Sequence, residues 1–104
     1  MLYPLMNNTK WNELRLAMYE VDPAPRWSAL DQNGYRSPPD REWYYHFREG
    51  GYEHTIHVDI IADDPEHRER IRTALKRIHL PGEETEDGFR IFGYASQGQA
   101  VEYL

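Results

Sequence analysis

The stretch EWYYHFREGGYEHTIHVDII, Glu42–Ile61, decides how the chain is read, because it is dense in aromatic and β-branched residues and is divided by a glycine pair. Two apolar-rich segments flanking Gly50-Gly51 have the pattern of a β-hairpin closed by a two-residue turn. In that register Trp43 faces Val58, Tyr44 faces His57, Tyr45 faces Ile56, His46 faces Thr55, Phe47 faces His54, Arg48 faces Glu53 and Glu49 faces Tyr52. Strand alternation then predicts an apolar face of Trp43, Tyr45, Phe47, Ile56, Val58 and Ile60. Glu42, Tyr44, His46, Arg48, Glu53, Thr55, His57 and Asp59 fall on the opposite, half-wet face.

Outward from this stretch, helical signals appear on both sides. Asn8 or Thr9 can cap a helix to about Glu20, with Trp11, Leu14, Ala17, Met18 and Val21 recurring on one stripe. Asp22-Pro23-Ala24-Pro25 ends it, since proline removes a backbone donor and pushes its predecessor to extended geometry. Arg26–Leu30 reads as a short strand, followed by turn chemistry at Asn33-Gly34 and Ser37–Asp40. Asp64-Pro65 opens a second helix to about His79, with Ile71, Ala74, Leu75 and Ile78 buried. Pro81-Gly82 stops it, an acidic loop follows, Phe89–Tyr94 has strand composition, and Ala100–Leu104 suits a short terminal strand. The order α-β-β-β-α-β predicts an α+β two-layer sandwich, a mostly antiparallel sheet with two helices on one face.

Composition bounds the rest. A chain of 104 residues with 39% hydrophobic and 29% charged side chains supports one core. Residues 1–104 are therefore expected to form a single domain, with residues 1–6 a loose N-terminal extension. The absence of cysteine excludes disulfides, thiolate metal sites and a cysteine nucleophile. The segment Met1–Leu5 lacks the basic start and apolar run of a secretory signal, and no apolar run approaches membrane-spanning length, so the expected compartment is the cytoplasm. A net charge of −6, from 18 acidic and 12 basic residues, disfavours nucleic-acid binding and favours a basic partner.

Three segments, NNTKWNELR (Asn7–Arg15), EWYYHFR (Glu42–Arg48) and PGEET (Pro81–Thr85), resemble a family of small bacterial proteins of unknown function. The resemblance spans nearly the whole chain. It implies bacterial origin and a single domain, and it carries no ligand or catalytic role to any position.

Candidate functional residues come in two groups. On the polar hairpin face, His46 and His57 would be diagonal neighbours with Tyr44, Thr55 and Asp59 around them, close enough to share an ion or act as acid and base. His46, His57 and Asp59 are the metal-ligand candidates, although the same residues suit a solvated sheet face with no chemical task. The second group is suited to protein binding: Leu16 and Tyr19 off the buried stripe of the first helix, Trp27 and Tyr35 near proline-rich connections, and the carboxylates Glu83, Glu84, Glu86 and Asp87. Three Trp, eight Tyr and three Phe are generous for this length, so burial of all of them is not required. In the second helix Arg68, Arg72 and Lys76 lie on one flank and Arg70 and Arg77 on the other, interleaved with glutamates.

No phosphate-binding loop, nucleophile elbow or dinucleotide-binding signature occurs, and no cofactor is expected. The leading expectation is a small acidic module that covers a basic protein partner in the manner of an immunity protein or antitoxin. The alternative is a small metal-binding or acid–base domain working from the His46/His57 face. A homodimer paired through sheet edges is the plainer third possibility.

Overall fold

A computed structural model describes all 104 residues. The first helix, α1 (Asn8–Glu20), begins where the Asn7 side chain accepts a hydrogen bond from Lys10 N at 2.8 Å, satisfying one of the helix's orphan donors. Its buried stripe is Trp11, Leu14 and Met18, joined by Arg15. The second, α2 (Pro65–Ile78), is capped by Asp64, which accepts from His67 N at 2.7 Å, with Pro65 in the first turn. His79 ends it in the left-handed conformation, and Leu80 is buried immediately after.

The strands are β1 (Leu2–Pro4), β2 (Arg26–Asp31), β3 (Thr55–Ile61), β4 (Gly82–Glu84), β5 (Gly88–Phe92) and β6 (Tyr94–Ser96). A four-stranded antiparallel sheet has the order β2-β3-β5-β4, and β1 and β6 form a separate antiparallel pair. Register places Trp27, Ile60 and Phe89 in one row and Ala29, Val58 and Ile91 in the next, all on one face. These side chains share a core with Trp11, Leu14 and Met18 of α1 and with Ile71 and Leu75 of α2, so both helices cover that face. The fold is α+β, as expected.

The hairpin expected across Glu42–Ile61 is not formed. Residues Trp43–Gly50 make consecutive turns, with Glu49 N donating to His46 O and Gly51 N to Arg48 O. One Glu42 carboxylate oxygen accepts from both Tyr45 N (2.6 Å) and His46 N (2.9 Å), capping the segment as it would cap a helix. Trp43 and Phe47, four residues apart, turn inward together with ring centroids 4.5 Å apart, and the Trp43 indole donates to Pro25 O. An apolar spacing of four satisfies the helical and the strand period alike, and here the helical one prevails. Tyr45, expected in the core, is exposed as a result. Gly50 and Gly51, with φ of 78° and 77°, terminate the turns instead of closing a hairpin.

With Trp43–Glu49 removed from the sheet, β3 pairs on one edge with β2 and on the other with β5. A hairpin does exist further on: β4 and β5 pair across Thr85–Gly88, where Thr85 N donates to Gly88 O and Gly88 N to the Thr85 hydroxyl. The acidic segment expected as a loop is therefore partly strand. Gly88 is required there, because a Cβ would fall 1.9 Å from Ile60 O. The terminal strand expected at Ala100–Leu104 is reduced to one bridge, Pro81 to Tyr103. Leu2–Pro4, expected to be loose, pairs with Tyr94–Ser96.

Candidate functional site

The predicted histidine site does not assemble. His57 projects from β3 on the sheet face away from the helices, in a row with Leu30 and Phe92, and Asp59 stands in the next row between Ser28 and Arg90. Arg36, brought over this face by a bridge to Leu30, donates to His57 Nε2 at 2.8 Å and to Asp59 at 2.9 Å. Arg90 adds two contacts to the same carboxylate, at 2.7 and 3.2 Å. Burial, reinforced by the Arg90 charge, lowers the His57 imidazole to a pKa of about 4, so near neutrality it is an uncharged acceptor. Burial alone would raise the Asp59 carboxyl, but its bonds and charge pairing with Arg90 hold it below the usual range. The cluster is satisfied from within: two guanidinium groups close on one carboxylate and one ring.

His46 lies elsewhere, on the turn segment, where its Nδ1 meets Asp40 at 2.8 Å. This bond raises the His46 pKa; against the effect of burial, the Glu42 backbone amide and then His46 lower that of Asp40. Nε2 of His46 has no partner within the chain. The ring borders a depression of about 320 Å³ beside the β2 edge, together with Trp27, Tyr35, Phe47 and His54. No group of three or more His, Asp or Glu side chains is disposed to hold a metal ion.

The second group of predicted residues divides. Trp27 is buried, with its indole donating to Glu42 O at 3.0 Å, which removes it as a contact residue. Tyr35 is exposed and borders the depression beside His46. Glu84 faces α2, where Arg72 and Arg68 each bind it at 2.9 Å, and these bonds hold its carboxyl down to about 2. Arg68 also donates to the carbonyls of Thr85 and Glu86, so the acidic hairpin is fastened to the helix by one basic flank. Glu83 is opposite Arg90, whereas Glu86 and Asp87 form no ion pair.

Leu16 is exposed, and Tyr19 acquires neighbours that sequence reasoning missed. The turn segment carries Tyr44 and Tyr45 to the flank of α1, giving ring centroid distances of 5.6 Å for Tyr19–Tyr44 and 5.1 Å for Tyr44–Tyr45. The guanidinium of Arg15 lies 5.0 Å from the Tyr44 ring centre and also donates to Tyr44 O at 2.8 Å. Arg48 stacks against both tyrosines, at 5.5 and 5.4 Å, in place of the ion pair expected with Glu53. Leu16, Tyr19, Tyr44 and Tyr45 remain 47, 54, 40 and 62% exposed. Cation–π stacking and the Arg15 tether hold the rings in place before any partner arrives. The only sequence signal for this assembly was helical spacing within Trp43–Phe47, which would have turned Tyr44 and Tyr45 outward.

Fold and surfaces together define a small α+β domain with a preformed, exposed tyrosine–arginine patch and no assembled metal centre. The chain belongs to the Family of unknown function DUF6678, whose model matches residues 1–98. Comparison with curated proteins and with solved structures finds no match. No helix is long and apolar enough to cross a membrane.

Proposed function

We propose that the protein is a small acidic protein-binding module of the bacterial cytoplasm, which engages a basic partner through Leu16, Tyr19, Tyr44 and Tyr45. The observation that carries this reading is the exposed cluster of three tyrosines, in which Tyr44 contacts both Tyr19 and Tyr45, braced by Arg15 and Arg48. Tyrosine and arginine are enriched at the anchors of protein interfaces, tyrosine because it buries large area with few rotors to immobilise. The net charge of −6 attracts a basic partner at long range and suits an immunity or antitoxin type of masking.

A photo-reactive residue at position 45, introduced in the source cell, tests the proposal. Irradiation is expected to give one stoichiometric adduct with a basic protein. Tyr44→Ala should weaken the purified complex by about 30-fold, corresponding to a hot-spot loss of ~2 kcal/mol. A protein that forms no adduct, or a complex indifferent to Tyr44→Ala, overturns it.

One observation favours a second reading, acid–base chemistry at His46. Asp40 orients that ring while its other nitrogen stays free beside the 320 Å³ depression. Small-molecule fragments that shift the His46 and Trp27 resonances, and lose that effect in His46→Ala, would support it. A silent fragment screen would remove it.

A further inference from the structure

On the flank of α1 opposite the tyrosines, α1 and α2 meet along an open groove of about 530 Å³. Ala17, Val21, Ala74 and Ile78 are half-buried in its floor. The walls differ in sign: Glu20 and Asp22 stand on the α1 side, Arg70 and Arg77 on the α2 side, and all four are exposed. None of the four forms an ion pair within the chain. By contrast, Arg68 and Arg72 on the far flank of α2 are bound to Glu84.

An acid row and a base row divided by an apolar strip are complementary to the same surface turned over. Rotating a second copy by half a turn about an axis along the groove sets the acid wall of each copy against the base wall of the other, floor against floor. An axis across the groove would oppose acid to acid. A foreign helix would have to carry both rows at matching heights. A second copy supplies them because the helices run antiparallel, with Lys10 Nζ reaching Ile78 O and His67 Nε2 reaching Pro23 O. Arg70 therefore lies level with Glu20 and Asp22, while Arg77 stands about two turns further along α2.

We infer that the α1–α2 groove is a self-complementary interface through which the protein forms a two-fold homodimer, with Glu20 and Asp22 of each copy meeting Arg70 of its partner. This interface is separate from the tyrosine patch and does not depend on the proposed function.

Sedimentation equilibrium of the full chain in low salt tests the inference. At about 100 μM the expected mass is twice that of the 12.4 kDa chain, with dissociation promoted by salt because rim charges are screened. Glu20→Arg and Arg70→Glu should each weaken pairing at least about tenfold, since each sets like charges against one another. An equimolar mixture of these two variants should recover the dimer, because the reversed charges then face opposite ones. The wild type sedimenting as a monomer overturns the inference, as does a dimer that neither variant weakens. A mixture no tighter than its components also overturns it, and a wild-type monomer that instead binds an amphipathic helix assigns the groove to a foreign partner.

Discussion

Replacing His57 by Gln probes the best-enclosed titratable group of the outer sheet face. The His57 side chain is about 10% exposed and accepts from Arg36 through Nε2, so its proton must reside on Nδ1. Burial and the neighbouring Arg90 charge lower its pKa from 6.5 to about 4. The unfolded chain takes up this proton near pH 6.5, whereas the folded chain does so only near pH 4. The unfolded state therefore binds more protons in that window, and stability falls as pH falls. At ~1.36 kcal/mol per unit, the depression corresponds to a loss of about 3 kcal/mol between pH 7 and pH 4. That is a large share of the ~5–15 kcal/mol typical of a domain.

Other groups separate from this effect. Asp59 and Glu84, with lowered pKa values, lose their contributions as pH falls from their ordinary carboxylate values through their folded ones. They do so in wild type and variant alike, so the difference between the two proteins isolates His57. His46 acts with the opposite sign: its pKa is raised, so its contribution is present below 6.5 and is lost as pH rises through the folded value. Gln at position 57 keeps an acceptor for Arg36 without titrating. Urea unfolding from pH 7 to pH 4 should show the wild type losing about 3 kcal/mol more than His57→Gln, and the His57 ring signal should stay at its neutral position through pH 5. Coincident pH profiles for the two proteins would refute the buried, uncharged ring.

Three further substitutions test the architecture. His67 is fully buried, accepts from Asp63 N at 2.9 Å and donates to Pro23 O at 2.7 Å, so His67→Ala should cost about 2–4 kcal/mol in the urea midpoint. Gly88→Ala forces a Cβ onto Ile60 O and should cost about 3 kcal/mol or abolish soluble expression, whereas Gly34→Ala, with open space around it, should affect only the local turn. Glu42→Ala should cost about 1 kcal/mol and speed amide exchange at Tyr45 and His46 alone. A loss of protection spread along β3 would instead restore the hairpin reading.

How much was legible in the residues follows from where each signal resides. Both helices announced themselves locally: Asp64 caps as expected, Asn7 caps in place of the expected Asn8 or Thr9, and the apolar stripes Trp11-Leu14-Met18 and Ile71-Ala74-Leu75-Ile78 follow the helical period. The α+β class followed from those helices and from β-rich segments such as β3 and β5. Partner choice between strands did not. Trp43 and Phe47 satisfy both periods, and Glu42, which caps the turn, acts across the peptide in a way that composition does not reveal. Once that segment coils, β3 must find its ladder at β2 and β5, and His46 and His57 are carried to different surfaces.

By itself the amino-acid sequence determined the helices, the Asp64 cap, the buried stripes, the chemical class of the core and the excess of negative charge. These depend on neighbours within a few positions, or on simple sums. Tertiary structure alone decided which polar groups stand together: Arg36 and Arg90 on Asp59, Tyr19 with Tyr44 and Tyr45, and the acid and base walls of the helix groove. Those groupings join residues 23 to 57 positions apart in the sequence, so no local preference encodes them. They form only when burial of one shared core has set the elements in place.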